Sequence, residues 1–235
     1  MRIHRSRDPY ERFYMLCGKV LLQVDRTKYL GVIITEDLNW TPHVAYVTGK
    51  ANKVLGLLRR NLIDCPRELK EIAYVSMVRS ILEYASAVWD PYLVKDKSAL
   101  ERVQRRAARF VKNEYKIYDQ TNDEYLSVTN MLNELGWKNL EERRCETRLT
   151  LLFKLTHNEI NIPTEGIITP LANLHGTCLQ TMQNKFSLIT NTIDSHRYSF
   201  FPRTIRDWNE LPTSTANCST IETFKRELKA GASAP

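Results

Sequence analysis

The spacing of apolar positions changes character twice along the chain. Between Arg12 and Thr35 it is β-like: "RFYMLCGKVLLQV" holds two apolar runs around Gly18, and "KYLGVIIT" adds the β-branched Val32, Ile33, Ile34 and Thr35. These runs predict a small three-stranded antiparallel meander, too small to stand without something packed on it. Gly31 falls inside an apolar run, and glycine within a strand marks a bulge or the close approach of another backbone. After Trp40 the period becomes helical. Thr41 reads as a capping hydroxyl with Pro42 at the first helical position. Val44, Val47, Ala51, Val54, Leu55 and Leu58 then recur at helical steps, with Lys50, Lys53, Arg59 and Arg60 outward or at the end.

A second helix is predicted from Pro66 to Trp89, closed by Asp90-Pro91. Its latter half is apolar nearly all round, from Ile72 through Met77, Ile81 and Tyr84, which suits the centre of a bundle, with Arg79 and Glu83 paired four residues apart. A third, "SALERVQRRAARFVKN", starts at a Ser98 cap with Glu101 in the capping-box position. Leu100, Val103, Ala107, Phe110 and Val111 form its apolar stripe. Arg102, Arg105, Arg106, Arg109 and Lys112 occupy the rest of its circumference.

A linker, "EYKIYDQTNDEYLS", leads to a short helix around "VTNMLNELG" and a longer one, "NLEERRCETRLTLLFKLTHN". In the longer helix Leu140, Leu149, Leu152, Phe153 and Leu155 face inward, and Glu141, Glu142, Arg143 and Arg144 mark an exposed start. From Pro163 onward the helical period stops, and "KFSLITNTIDSHRYSFFP" reads as irregular strands before a last amphipathic helix, "STIETFKRELKA". The predicted fold class is mainly α with a small N-terminal antiparallel β-meander (α+β), then a helix-plus-irregular C-terminal region. A boundary is expected between Asn113 and Ser127.

Charge changes this picture more than composition does. The 235 residues are 43% hydrophobic and 26% charged, ordinary for a globular protein, with a net charge of +7. From Lys95 to Lys116, eight Lys and Arg face three acids, so one segment holds a net +5. Such a surface suits a polyanion, most commonly nucleic acid, or is a solvated helix face. The five cysteines are odd in number and scattered, which argues against a disulfide framework and points inside the cell, cytoplasmic or nuclear. No run of apolar residues is long enough for a membrane span, and the N-terminus has no signal-like apolar core.

Catalytic chemistry is thin. The five histidines are dispersed, and no nucleophile elbow, no H-E-x-x-H and no phosphate-cradling glycine loop occurs. His175 and Cys178 form half of a zinc-like set without the other half, so loop residues are the default. Glu36 and Asp37 sit at a strand end, where turn chemistry explains them. A two-metal site needs carboxylates grouped around both ions, and Asp8 and Asp25 are isolated. No catalytic residue, no metal ligand and no small-molecule substrate is assigned.

Taken together, several segments resemble a known family. "KYLGV", "DLNW…H", "KANKVLGLLRRNL", "MVRSILEYASAVWDPY", "LERVQRRAARFV", "SVTNMLNELGWKNLEERR" and "YSFFPRTIRDWNELP" are similar, in this order, to the C-terminal portion of reverse transcriptases of non-LTR retrotransposons, of the LINE-type, jockey-like group. The likeness runs from Met15 to Leu228. It implies a residual palm edge and a primer-grip-like hairpin over 1–40, a thumb-like bundle over 41–118 and a connector over 119–235. In that family two metal-binding aspartates sit in a Y-x-D-D turn of the palm. That turn is missing here, and any Mg²⁺ would belong to a palm outside this chain. Ser80 stands where relatives have proline, which predicts a straight helix.

The resemblance implies an RNA-directed DNA polymerase fragment, inactive alone, that binds an RNA or DNA primer–template duplex. Expected phosphate contacts are Arg102, Arg105, Arg106, Arg109 and Lys112, then Lys50, Lys53, Arg59 and Arg60. Lys28, Tyr29, Leu30 and Gly31 would lie against the primer. The missing palm and fingers would be protein partners. A non-enzymatic helical interaction module and a translated remnant without selected function stay open beside this reading.

Overall fold

The computed structural model describes residues 13–114, 124–164, 166–171, 185–190 and 193–231. They fall into two compact units: Met1–Ala85 with Pro91–Trp137, and Ser86–Asp90 with Lys138–Pro235. The division comes after Trp137 rather than within 113–127, because α5 (Glu124–Glu134) packs on α4 (Val94–Lys112) in the first unit.

The fold class is mainly α, with antiparallel strands confined to the N-terminal part. Those strands form two separate hairpins rather than one meander. β1 (Met15–Leu16) pairs with β2 (Lys19–Val20), and β3 (Arg26–Tyr29) with β4 (Val32–Thr35). In the second hairpin Tyr29 faces Val32, so Leu30 and Gly31 make a two-residue turn, with φ of 45° and 85°. Two positive φ values are what a tight hairpin turn demands. Gly31 is therefore a turn glycine and not a pinch inside a strand. A second constraint is the Tyr84 ring, whose Cε1 would lie 3.3 Å from a Cβ added at Gly31.

α1 (Thr41–Asn61) buries Val44, Val47, Ala51, Leu55 and Leu58, the stripe its periodicity predicts. Thr41 is not its cap. That hydroxyl donates to Asp96 Oδ2 of α4 at 2.8 Å, while Asn39 Oδ1 accepts from the Thr41 N–H at 2.9 Å. Asp37 closes a turn by accepting from the Asn39 N–H, the role expected of that acidic break.

The next helix departs most from expectation. α2 (Arg67–Ala73) passes into a π-helical stretch, Tyr74–Arg79, and α3 (Ser80–Glu83) ends it well before Trp89. Ser76 and Ser80 hydroxyls donate to the carbonyls of Ile72 and Ser76, at 2.8 and 2.5 Å. Such back-bonding competes with the helical ladder and bends helices, so serine at 80 does not give a straight rod. Nor is the segment buried all round: Tyr74, Val78 and Leu82 are fully buried, whereas Ile72, Met77 and Tyr84 are exposed. Arg79 and Glu83 do pair, at 4.0 Å and partly buried.

α4 begins at Val94, a turn before Ser98, and buries the predicted Leu100, Val103, Ala107, Phe110 and Val111. Tyr74 stacks on Trp137 at 4.4 Å and donates to Gln104 Oε1 at 2.9 Å, which satisfies both buried polar groups.

In unit 2, α6 (Leu140–Thr156) starts at an Asn139 cap and buries Leu140, Leu149, Leu152, Phe153 and Leu155 as predicted. Arg144, expected on the exposed start, is buried. The stretch read as irregular strands is partly helical: α7 (Asp194–Arg197) and α8 (Phe200–Asn209) lie within or beside it. Among the described residues there, the β-like feature is the Pro170–Phe186 bridge, and Asn209 clamps Phe186 by bonding both its backbone groups, at 2.7 and 3.0 Å. With α9 (Thr213–Ala216) and α10 (Ile221–Gly231), these elements enclose Phe153, Trp208 and Phe224 in one aromatic stack.

Candidate nucleic-acid interface

On α1, Tyr46, Lys50, Lys53, Leu57 and Arg60 recur at steps of four and three, so they line one side of the helix, and all are exposed. Arg59 is exposed on another side. Two glycines open this surface. A Cβ at Gly49 would meet nothing within 4 Å, and one at Gly56 would meet only Arg60 Nη1 at 3.9 Å. Packing within the unit therefore does not demand glycine at either position.

On α4, Arg102 and Arg106 are exposed, while Arg105 and Arg109 are half-buried. Arg106 Nη1 donates to Asn52 Oδ1 of α1 at 3.1 Å, which ties the exposed side of α4 to α1. Lys112 is employed differently. It bridges α4 to Glu134 of α5 and lies 3.6 Å from Glu114, and its hydrogen bond to Glu134 raises its pKa. Its charge is already balanced, so it stands apart from the cationic face.

The hairpin joins the same surface through Lys28, whose ammonium donates to the Tyr46 hydroxyl at 2.8 Å and sits 4.5 Å from that ring's centroid. The hydrogen bond and charge of Lys28 hold the Tyr46 hydroxyl below the usual phenol range. At the tip, Tyr29 and Leu30 are 65% and 73% exposed. Tyr84 donates to the Leu30 carbonyl at 3.1 Å and fixes the turn from behind. His43, fully buried, accepts from the Ile33 N–H at Nδ1 and anchors β4 to α1. Burial, then the nearby Lys28 charge, lowers its pKa to about 4.

Sequence reasoning missed a second charged assembly, inside unit 2. Arg148 and Arg203 both pair with Asp90, Arg203 at 2.9 Å, and Arg148 also reaches Asp207 at 2.5 Å. Arg144 donates to the Leu140 carbonyl and lies over the Trp89 ring at 5.1 Å. The signal was present: Leu140, Arg144, Arg148 and Leu152 are four apart, so the two arginines lie on the helix's apolar row. This cluster is enclosed and offers nothing to a ligand.

His175 and Cys178 lie outside the described residues. Among the described residues no group of three or more His, Cys, Asp or Glu converges as a metal site, and no helix is long and apolar enough to cross a membrane. No family model matches the chain, and neither a curated protein nor a solved structure matches it significantly.

Proposed function

We propose that unit 1 grips the phosphates of a primer–template duplex, in the manner of a non-LTR reverse transcriptase thumb, and that catalysis belongs to a palm outside this chain. The observation that carries this reading is the set of exposed lysines and arginines on α1 and α4, two helices tied together by the Arg106–Asn52 hydrogen bond. Phosphate contacts from such a face are independent of sequence and release counterions. The glycines at 49 and 56 support it, because a helix without Cβ atoms there admits a sugar–phosphate chain close to its backbone.

The first hairpin carries the kind of surface that such a palm would cover. Phe13, Met15, Leu16 and Leu22 are 78%, 65%, 64% and 89% exposed, an apolar surface of the kind that marks a covered interface. The same hairpin favours the second reading, a helical module that binds protein alone.

The test is duplex binding across a salt series with Lys50, Lys53, Arg60, Arg102 and Arg106 changed to glutamine. All are on the surface, so circular dichroism should match the parent. Loss of five phosphate contacts should lower the slope of log K against log salt by about 4–5. An unchanged slope and affinity would remove this face from the interface. Duplex affinity of the parent that vanishes near physiological salt would favour the protein-binding module.

A further inference from the structure

Unit 2 holds a groove of about 260 Å³ lined in part by glutamates, in a chain that is positive as a whole. One wall is α6: Glu142, Cys145, Glu146 and Leu149 stand at i, i+3, i+4 and i+7 and so share a face. The opposite side is Leu211, Pro212 and Thr215, from the turn into α9 and α9 itself, with Glu227 and Leu228 of α10. Leu149, Thr215 and Leu228 are buried and form the floor, while Leu211 and Cys145 are half-buried and Pro212 is exposed. The volume lies below the range typical of cofactor and drug-sized sites, and suits an inserted side chain.

Among the described residues of the lining, the charged ones are the three glutamates. Glu146 is bonded to Lys138 at 2.5 Å, and Glu142 accepts from Asn139 Nδ2 at 2.7 Å. The Glu227 carboxylate has no hydrogen bond or ion pair among the described residues. It is half-buried beside the apolar floor, a position that gains from a visiting cation. An acidic rim repels nucleic acid and anionic membranes, so neither suits this groove. Nor is it a reactive site. Burial, with Asp207 3.6 Å away, pushes the Cys145 thiol up to about 12, so it is not a nucleophile at neutral pH.

We propose that this groove docks a basic amphipathic helix of a partner protein, one apolar side chain entering between α6 and α10 while a lysine or arginine a turn away meets Glu227. Helix-in-groove recognition of this kind reads anchors at i, i+3 and i+4. The charge complementarity is local. The chain as a whole is positive, so a cationic peptide is attracted only where acidic groups gather locally.

The probe is a fluorescent helical peptide of alanine and glutamine with one central leucine, a lysine four residues before it and an arginine four after. Fluorescence anisotropy with the full chain should show saturable binding. Glu227→Lys should weaken it about tenfold, and Leu211→Gln should also weaken it. A peptide with alanine in place of leucine should not bind. Duplex binding of the Glu227→Lys protein, measured in parallel, should not weaken, which separates this groove from the cationic face of unit 1.

Absence of saturable binding overturns the proposal, as does equal binding of the alanine peptide or an unchanged Glu227→Lys protein. Binding of a long-chain alkylamine without binding of the peptide would give the groove to a small cation instead. A dimer of the parent that Glu227→Lys dissolves would assign it to a second copy of the chain. Either result overturns the partner-helix assignment.

Discussion

The two units place positive charge in opposite ways. Unit 1 keeps Lys50, Lys53, Arg60, Arg102 and Arg106 in solvent around an apolar core. Lys70, by contrast, is buried with its ammonium 5.5 Å from the Phe110 ring centroid. Unit 2 buries Arg144 and Arg148, at 3% and 2% exposure, and closes them with Arg203 around Asp90. Exposed guanidinium groups cost folding little and remain available to phosphate. Buried ones carry a desolvation penalty that only their carboxylate offsets. Net charge therefore says that a polyanion is a suitable partner, but burial decides which arginines can reach it.

The strongest way to break this comparison is to remove the carboxylate. Asp90→Asn leaves Arg148 and Arg203 buried without their shared anion, and the loss should be about 3–5 kcal/mol. Burial and the Arg203 charge already pull the Arg148 pKa downward, which marks how little surplus attraction the cluster has. Chemical denaturation followed by the fluorescence of the four tryptophans, Trp89 and Trp208 of which lie in unit 2, should show an early transition. If the curve overlays the parent, the cluster does not hold unit 2 together.

The next test asks whether unit 1 excludes positive charge from its core even where a side chain can carry it. His43 is neutral when folded, with a pKa of about 4 against an ordinary 6.5. Between those values the unfolded chain binds the proton and the folded chain does not, so stability falls as pH falls. The contribution is fully present above about pH 6.5 and lost on acidification through about pH 4, on the order of 3 kcal/mol in all. Thermal melts across that range should be steeper for the parent than for His43→Asn, whose amide oxygen can still accept from Ile33. Equal pH slopes would mean that His43 takes up its proton alike in the folded and unfolded states.

These two sites show what the sequence made legible and what it hid. The buried stripes of α1, α4 and α6 were readable because apolar residues at helical steps identify their own face. Arg102 and Arg106 were readable as exposed because they lie opposite such a stripe. Arg144 was misread because its four-residue neighbours had to be weighed against the run of charges that surrounds it. Lys112 looked like its neighbouring arginines until Glu134, on a helix beyond the linker, came within reach. Asp90 looked like a helix stop, since its partners are 54, 58 and 113 residues away in the chain. Local pattern carries local structure. Pairings across long separations are visible only once the chain is folded.

The smallest effect offers the finest division between charge and shape. Gly49 and Gly56 sit in the interior of α1 with helical backbone and open space where a Cβ would go. Alanine at each should stabilise the helix by about 0.5–1 kcal/mol. No charge changes, so the salt slope of duplex binding should stay where it is. Affinity should nevertheless fall, because two methyl groups now hold the phosphate chain away from Lys50, Lys53 and Arg60. A raised melting temperature with weakened duplex binding and an unaltered slope would mean that these positions serve close approach at some expense of helix stability. Duplex affinity that is unchanged while stability rises would show that the glycines serve no contact, and the interface would then rest on charge alone.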